Sequence, residues 1–344
     1  MIRFNNDYNH GAVPEILEAL AATNNDAYAG YGLDEWCDKA KEAIAQYLDE
    51  PDAAIHFLIG GTQVNFTAII AALRPYQSVL CADSGHINVH ETGAVENTGH
   101  KIEALPAVDG KITAEQIDRA AAAYEASPIP EHITQPKLVY ISQPTEYGTI
   151  YSKAELADIS AVCAKHGLFL FVDGARLGYA LGSDENDVTL SDLASLTDMF
   201  TIGGTKCGAL FGEALVISDP SLQPDFRSYI KQNGAMLAKG WLLGLQFYTL
   251  FKDGLYFRVT EGATKLGLQI RDAFHKKGIK SYIESPTNQQ FVIVDKAQKA
   301  TLAKDFIFEE ELTLDSEHDV IRFCTGWNNT QDEVDALIRA IEAL

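Results

Sequence analysis

A lysine suited to covalent chemistry stands in the segment FTIGGTKCG, in a turn of small residues directly after an apolar run. Burying an unpaired ammonium is costly, so Lys206 at this point of the chain indicates a functional amine. A lysine that forms an imine needs a lowered pKa and a preorganised site, which a tight glycine-lined turn beside a bound cofactor supplies. A lysine on a surface loop is the alternative, and this segment alone does not separate the two.

A carboxylate and a guanidinium follow a second apolar run, LFLFVDGAR, which contains Asp173 and Arg176. Ligand contacts in an open parallel sheet gather beyond the carboxyl ends of its strands. In enzymes that use pyridoxal 5′-phosphate (PLP), a carboxylate pairs with the protonated pyridine nitrogen and keeps the ring an electron sink. The structural alternative is that Asp173 caps a helix and Arg176 is its ion-pair partner.

Two further segments offer groups that suit a phosphate and an aromatic ring. The Gly60-Gly61-Thr62 turn leads from a predicted strand into a predicted helix, whose free N–H groups and dipole would cradle a phosphate, with the Thr62 hydroxyl as an extra donor. In SGHINVHETGA, His86 offers an imidazole to lie over a cofactor ring, and Glu91 follows in the same loop. A glycine turn and a lone histidine are weak signals by themselves. Their functional interpretation depends on the presence of the other two segments.

The order of the predicted elements places these groups in an α/β fold. Short runs that are apolar on both faces alternate with helical segments such as 34–48 and 152–166. Buried strands separated by helices predict a large, mainly parallel sheet with helices on both sides. The predicted strands lie in the segments 53–60, 78–83, 136–143, 167–176, 198–206 and 212–218.

The last hundred residues have a different pattern. The chain is more helical from about residue 221, and a strand-rich region over 288–327 then precedes a closing helix. We predict a large domain over residues 1–245 and a smaller α+β domain over residues 246–344.

The net charge and the cysteine content limit the kinds of binding partner that the chain can have. The 344 residues carry a formal net charge of -21, which repels a nucleic-acid backbone and anionic membrane surfaces and favours a small-molecule substrate. The five cysteines are far apart and have no metal-ligand spacing to histidines, so we expect reduced thiols and no metal site. The opening MIRFNNDYNHG lacks the pattern of a signal peptide, and no apolar run is long enough to span a membrane, so we expect a cytoplasmic protein.

Together the motifs resemble those of the threonine aldolase/β-eliminating lyase family of fold-type I PLP enzymes, in particular its bacterial low-specificity L-threonine aldolases. Motifs of the form G-T-x-x-N, H-x-x-x-x-E-x-G and D-G-A-R, and a small-residue loop ending in a lysine, stand here in the family's order. The resemblance spans essentially the whole chain. It implies an aminotransferase-like fold, PLP as the cofactor, and a homodimer or homotetramer. The implied reaction is the retro-aldol cleavage of L-threonine, L-allo-threonine and related β-hydroxy-α-amino acids to glycine and an aldehyde.

The resemblance also implies roles for the residues that bind the cofactor. Gly61 and Thr62 would bind its phosphate, and His86 would stack on its pyridine ring. Asp173 would pair with the ring nitrogen, and Lys206 would form the Schiff base. By the same resemblance, Lys206, His86 and Asp173 are the catalytic residues.

The substrate contacts are implied in the same way. Arg176 would assist both the cofactor and the substrate carboxylate. Arg322, in VIRFCTGW, matches the family's C-terminal arginine, whose planar fork suits an α-carboxylate. The segment NNDYN places Asn6 and Asp7 near the site, and YAGYGLD offers Tyr31 as a side chain that faces the substrate.

Two departures from the family pattern concern the base and the phosphate. Where several relatives carry a histidine after an E-N-T motif, this chain reads SQPTEY, with Glu146 at the corresponding place. The base that takes the β-hydroxyl proton is therefore open, with His86, or a water that it orients, as the candidate. A glycine-rich segment ending in arginine is replaced by KQNGAMLAK, so Lys231 or Lys239 becomes the candidate to reach the phosphate across a subunit interface.

Two other functions compete with an aldolase. The first keeps the cofactor and changes the bond that is broken, as in a β-eliminating lyase or another enzyme of small amino acids. The second is a PLP-binding regulatory protein without turnover. The presence of Arg176, Arg322 and His86 argues against the second.

Overall fold

The computed structural model describes residues 1–344. Eight strands lie in the first 217 residues, and all but the first belong to one central sheet. They are β1 (Ile2–Arg3), β2 (Ala54–Leu58), β3 (Gln77–Ala82), β4 (Lys101–Leu105), β5 (Gln135–Ser142), β6 (Phe169–Asp173), β7 (Met199–Gly203) and β8 (Glu213–Ile217).

The central sheet has the strand order β2-β8-β7-β6-β5-β3-β4. The pairs from β7 through β6, β5 and β3 to β4 are parallel, whereas β8 runs antiparallel to both β7 and β2. The predicted α/β fold with a mainly parallel sheet is therefore confirmed. Because parallel strands end at the same edge, the residues that follow β3, β5, β6 and β7 meet there.

Both faces of the sheet are covered. Along β6, Leu170 and Val172 point into a cluster of 40 buried residues, and Phe171 between them points into a second cluster of 19. Successive side chains of a strand point to opposite faces, so a strand buried on both sides must be apolar at consecutive positions. Burial on both faces therefore explains the uninterrupted apolar runs of the sequence.

Thirteen α-helices surround the sheets, and several begin at a side-chain cap. Thr113, Ser152 and Thr189 each accept a hydrogen bond from the third backbone N–H of the helix that follows, an arrangement that stabilises a helix start by about 1 kcal/mol. The helices are α1 (Pro14–Thr23), α2 (Glu35–Ala45), α3 (Gly61–Ala72), α4 (His86–Val89), α5 (Ala114–Glu125), α6 (Lys153–His166), α7 (Leu177–Leu181), α8 (Leu190–Leu196), α9 (Phe226–Gln232), α10 (Trp241–Phe251), α11 (Leu255–Lys276), α12 (Lys296–Leu302) and α13 (Gln331–Glu342).

A second, antiparallel sheet follows the long helix α11, in the strand order β12-β13-β10-β9. It encloses a third cluster of 14 buried residues, to which Phe4 of the N-terminal segment contributes. The N-terminal strand β1 pairs in parallel with β11, so the first residues lie against this part of the chain. The remaining strands are β9 (Ser281–Ile283), β10 (Gln289–Asp295), β11 (Phe306–Ile307), β12 (Glu309–Thr313) and β13 (His318–Cys324).

The division into residues 1–245 and 246–344 places its boundary inside α10, and the boundary stays a prediction. All five cysteines are free and buried. None of the helices combines the length and the apolar character that a membrane crossing requires.

Candidate active site

A cleft lies where the carboxyl ends of the parallel strands meet the start of α3. It brings together six residues that the sequence predicts for the site, although they come from segments up to 145 positions apart. These residues are Gly61, Thr62, His86, Asp173, Arg176 and Lys206.

The first turn of α3 leaves its backbone donors free. Gly60 precedes the helix in an extended conformation, and no side chain caps the N–H groups that follow. A Cβ built on Gly60 or Gly61 would meet no atom within 4 Å, so both glycines border open space. The Thr62 side chain is exposed in the cleft. Free amides at a positive helix end, with a hydroxyl beside them, suit a phosphate.

Asp173, the last residue of β6, is held as a carboxylate by three donors. Its Oδ2 accepts from Tyr140 OH at 2.5 Å and from Asn65 Nδ2 at 2.9 Å, and its Oδ1 accepts from the Ala175 backbone N at 2.8 Å. Burial raises the pKa of Asp173, but nearby His86 and these three donors outweigh burial and bring the pKa below its ordinary value. Asp173 is therefore negatively charged and suits the protonated nitrogen of a pyridine ring.

His86 is fixed by Glu91 in the same loop. The Nδ1 atom of His86 lies 2.7 Å from Oε1 of Glu91, whose side chain is fully buried. The same Oε1 accepts from Asn65 Nδ2 at 2.8 Å, so Asn65 joins the carboxylates of Glu91 and Asp173. This contact with a buried carboxylate oxygen holds the imidazole of His86 in a fixed orientation.

Lys206 lies in the turn after β7, and its Nζ has no hydrogen-bond or ion-pair partner in the chain. Burial and the nearby Arg176 lower the pKa of Lys206, while the carboxylates of Asp7, Asp173 and Glu213 oppose this shift. A lowered pKa favours the neutral, nucleophilic form of the amine. It is the one lysine that lines the cleft.

Glu213, the first residue of β8, is a further acid beside Lys206. It is buried, lines the cleft, and accepts from the Gly204 backbone N at 2.9 Å through Oε2. Burial raises its pKa to about 7, against the opposing effects of Thr205 and the Lys206 charge. A carboxyl group of this pKa exchanges a proton near neutral pH.

The raised pKa of Glu213 predicts how stability depends on pH. A carboxyl group that binds its proton more tightly when folded stabilises the protein at low pH, and this contribution is lost as pH rises through about 7. Glu213→Gln removes the charge. The free energy of unfolding of the cofactor-free variant, taken relative to that of the unmodified protein at the same pH, should therefore increase between about pH 5 and about pH 8. The gain should be at most about 2–3 kcal/mol.

Chemical denaturation of the two proteins across that pH range measures this gain. Glu309→Gln, at an exposed position of β12, is the matched control and should show no pH-dependent difference. A difference between Glu213→Gln and the unmodified protein that stays constant with pH would contradict the expectation.

Arg176 is held in place by Asp7. Nε of Arg176 donates to Oδ2 of Asp7 at 2.8 Å, and Nη2 donates to Oδ1 at 3.0 Å. Although burial raises the pKa of Asp7, the guanidinium of Arg176 lowers it to about 2. Asn288 Nδ2 also donates to Asp7 Oδ2 at 3.0 Å. This two-pronged contact fixes the plane of the guanidinium and leaves Nη1 available to an anion in the cleft.

Arg322 and Asn6 lie beside the cleft and do not line it. On β13, Nη1 of Arg322 lies 3.2 Å from Oε1 of Glu311, and Nη2 donates to the backbone oxygen of Asn5 at 3.3 Å. Its buried Nε has no partner. Asn6, next in the chain, accepts a hydrogen bond from the backbone N of Tyr8. The predicted contacts of Arg322 and Asn6 with the substrate stay predictions.

Tyr31 lies outside the cleft of its own chain. Its side chain borders a separate depression that Lys41, His56 and Arg227 also line, and Lys231 places Nζ 4.8 Å above the Tyr31 ring. Lys239 is exposed on the same side. The roles predicted for Tyr31, Lys231 and Lys239 therefore require a second chain, and they too stay predictions.

Three further residues, to which the sequence motifs assign no role, line the cleft or support it from behind. Asn65 is a buried polar residue between the apolar Val64 and Phe66 of α3, and Tyr140 is the polar-tipped member of the apolar run LVYI in β5. Glu213 is an acid at the start of the apolar segment GEALVIS. In each case the available signal was one polar group within an apolar run, which must find a partner when it is buried.

These features fit PLP. The free amides of α3 suit its phosphate, the unpaired amine of Lys206 suits its aldehyde carbon, and the ionised Asp173 suits its pyridine nitrogen. The glycines at the start of α3 leave room where any larger residue would place a Cβ.

Comparisons with known proteins show the family to which the chain belongs. A family model described as beta-eliminating lyase matches residues 7–300. The low specificity L-threonine aldolase of Pseudomonas aeruginosa is 31% identical over 268 residues, which are 76% of this chain and 75% of that protein. A solved structure of Leishmania major threonine aldolase is 45% identical, with a TM-score of 0.97 over 100% of this chain and 99% of that one.

A more distant solved structure carries the same fold. Thermus thermophilus aspartate aminotransferase is 12% identical, with a TM-score of 0.71 over 100% of this chain and 92% of that one. The aminotransferase-like fold and the family are thus both established. The chain belongs to the beta-eliminating lyase family and is a fold-type I lyase that depends on PLP.

Proposed function

We propose that this enzyme cleaves L-threonine, L-allo-threonine and related β-hydroxy-α-amino acids to glycine and an aldehyde. The observation that carries the proposal is the cleft in which the unpaired amine of Lys206, the ionised Asp173 and the free amides of α3 converge. The similarity to the Leishmania major threonine aldolase over the whole chain supports this choice of reaction.

Different residues are assigned to the phosphate and to the ring nitrogen of the cofactor. When bound, PLP supplies an electron sink for the pair of electrons left on Cα as the Cα–Cβ bond breaks. The amides of α3 and Thr62 hold its phosphate, and Asp173 keeps the proton on its ring nitrogen. Asn65 and Tyr140 hold Asp173 in position for this task.

Lys206 and His86 are assigned to the aldehyde carbon and to the ring of the cofactor. The lowered pKa of Lys206 favours the neutral amine that would hold the cofactor covalently, and the same Nζ would carry a proton once the substrate amine has taken its place. His86, fixed through Nδ1 by Glu91, presents its ring to the cofactor. A ring held this way loses little conformational entropy when the cofactor binds.

Two arginines are suited to the substrate carboxylate. Arg176, held by Asp7, offers Nη1 toward the cleft, and Arg322 approaches from β13 in the second sheet. A carboxylate held at a fixed angle sets which bond of Cα is free to break, so these residues also determine orientation.

Arg322→Ala should raise KM for L-allo-threonine strongly and leave the cofactor absorbance unchanged, because the guanidinium is assigned to the substrate and not to PLP. Losing one member of a partly buried charged pair costs about 2–5 kcal/mol, so the rise should be large. Steady-state kinetics measures it. Arg339→Ala, in α13 and remote from the cleft, is the control. An unchanged KM and kcat would remove Arg322 from the site.

A second candidate function is β-elimination, which the description of the matching family favours. Incubating the PLP-loaded enzyme with L-threonine, L-allo-threonine, L-serine and L-tryptophan, and identifying the products, separates the two. Acetaldehyde with glycine supports the aldolase. Pyruvate with ammonia, or indole, without acetaldehyde would support elimination instead.

We further propose that the enzyme assembles as a homodimer or homotetramer with its active sites near a subunit interface. The exposed Tyr31 and Lys231 support this proposal, because their assigned roles need the cleft of another chain. Sedimentation at micromolar concentration tests it, and a fully active monomer would contradict it.

We also propose a cytoplasmic location. Free, buried thiols at all five cysteines support a reducing compartment, where disulfides are rare. Fractionation of the source cells tests this location, and recovery of the protein in a secreted fraction would contradict it.

A further inference from the structure

Glu146 lies in the loop after β5 and presents its carboxylate to the cleft. Its Oε1 accepts from Ser142 Oγ at 2.7 Å and from the His86 backbone N at 2.8 Å. Its Oε2 makes no hydrogen bond within the chain and is not among the buried atoms that lack a partner, so it is accessible from the cleft. One oxygen is therefore anchored and the other is free to act.

The other carboxylates of the site are engaged by another group or closed off from the cleft. Both oxygens of Asp173 accept hydrogen bonds, and its charge is assigned to the pyridine nitrogen. Glu213 also has one anchored oxygen, Oε2, which accepts from the Gly204 backbone N–H, but this carboxyl group lies beside Lys206. Glu91 is fully buried behind His86. Glu146 is thus the carboxylate with an unengaged oxygen that is not committed to another group of the site.

The contact with His86 fixes Glu146 relative to the cofactor position. The backbone N–H of His86 binds Oε1 of Glu146, and the imidazole of the same residue is fixed by Glu91. A free carboxylate oxygen is therefore held at a constant place next to the histidine assigned to the pyridine ring. A substrate bound at that ring would carry its β-substituent within the same cleft.

We propose that Oε2 of Glu146 accepts the proton of the substrate β-hydroxyl, an inference that rests on the proposed aldol cleavage. The O–H bond breaks as the bond from Oε2 to the proton forms, and the Cβ–O bond becomes the aldehyde carbonyl. The Cα–Cβ bond breaks at the same time, and its electron pair stays with the glycine fragment. Glu146 then releases its proton to solvent in the open cleft.

The surroundings of Glu146 favour this role. Burial and the negative charge of Asp173 raise the pKa of Glu146, while the donors from Ser142 and His86 hold the rise in check. A carboxylate with a raised pKa is a stronger base than an exposed one. The titratable groups that face Glu146 are His86, whose backbone N–H binds Oε1, and Asp173 at the end of β6.

The test compares two reactions of the same enzyme. Cleavage of L-threonine needs a base for the β-hydroxyl, whereas exchange of a glycine Cα hydrogen with deuterium from solvent does not. Glu146→Gln should slow acetaldehyde release on the order of a hundredfold or more. The same variant should keep glycine exchange, followed by NMR, near the unmodified rate. It should also leave unchanged the affinity of the cofactor-free protein for PLP, measured by fluorescence titration.

Two further variants serve as a partial perturbation and as a control. Ser142→Ala removes one donor to Oε1 and keeps the carboxylate, so cleavage should slow by a smaller factor with glycine exchange intact. Glu96→Gln makes the same chemical change at an exposed residue without side-chain hydrogen bonds and should alter neither reaction. Thermal unfolding verifies that each variant is folded. If Glu146→Gln does not fold, the effect of Ser142→Ala on cleavage and on glycine exchange tests the proposal.

The outcomes separate this inference from the proposed function. Cleavage by Glu146→Gln at the unmodified rate would overturn the role of Glu146 and leave the aldolase in place. Parallel loss of cleavage, glycine exchange and PLP affinity would show a structural role and would overturn it as well. If the unmodified enzyme releases no acetaldehyde from L-threonine while it binds PLP, the proposed function fails and this inference fails with it.

Discussion

Lys206→Ala is expected to abolish the visible absorption of the lysine-bound cofactor and nearly all turnover. Lys206 is the lysine that lines the cleft, its Nζ is unpaired, and burial together with Arg176 lowers its pKa. No other amine is placed to replace it. Removing a covalent nucleophile is expected to reduce kcat on the order of 10³-fold or more.

Borohydride reduction of the unmodified enzyme identifies the modified residue directly. Peptide mapping by mass spectrometry should find phosphopyridoxyl on the peptide that contains Lys206. Lys304→Ala, at an exposed position far from the cleft, should keep both the absorption and the activity. Modification of a different lysine, or an active Lys206→Ala enzyme, would disprove the assignment.

The sequence predicted the grouping of Lys206, Asp173 and the start of α3 because a parallel sheet gathers these points by its topology. Apolar runs identify buried strands, and the residues that end such strands meet at one edge wherever the strands run parallel. The direction of β8 was not predicted, since a strand buried on both faces has the same apolar composition whether it runs parallel or antiparallel.

The supporting contacts depended on register, which a single sequence does not encode. Tyr140 reaches Asp173 because β5 and β6 pair with Ser142 opposite Asp173, so that Tyr140 stands two residues before the end of its strand. A shift of one residue would turn Tyr140 to the other face of the sheet. Asn65 likewise meets both Asp173 and Glu91 only through the position of α3 over the strand ends.

The residues assigned by resemblance differ in whether their positions depend on contacts close in sequence or on distant partners. His86 lies in the cleft because Glu91, five positions away in the same loop, fixes it there. Tyr31 lies outside the cleft of its own chain, and Arg322 is occupied by Glu311 and the Asn5 carbonyl. The contacts assigned to Tyr31 depend on a second chain, and those of Arg322 on a bound substrate, and neither is specified by local sequence pattern.

Asp173→Asn is expected to have the second largest effect, because it removes the negative charge that keeps the proton on the pyridine nitrogen. Without that proton the ring withdraws electrons less strongly, so the electron pair left on Cα is less stabilised. Loss of one preorganised electrostatic contact to a developing charge commonly costs on the order of a hundredfold or more in kcat. We expect a loss of this size for cleavage of L-allo-threonine, with Lys206 still able to bind the cofactor.

The same substitution should also destabilise the cofactor-free protein, and this second effect follows from the hydrogen bonds. Three donors converge on the Asp173 carboxylate, and an asparagine NH2 group in place of one oxygen would face donors from Tyr140 and Asn65 or from the Ala175 amide. A buried donor left without an acceptor costs about 1–3 kcal/mol. Urea denaturation of the cofactor-free protein measures this cost, and Asp158→Asn, at an exposed position of α6, is the control. Full stability and full turnover of Asp173→Asn would show that the carboxylate neither anchors this network nor serves the cofactor.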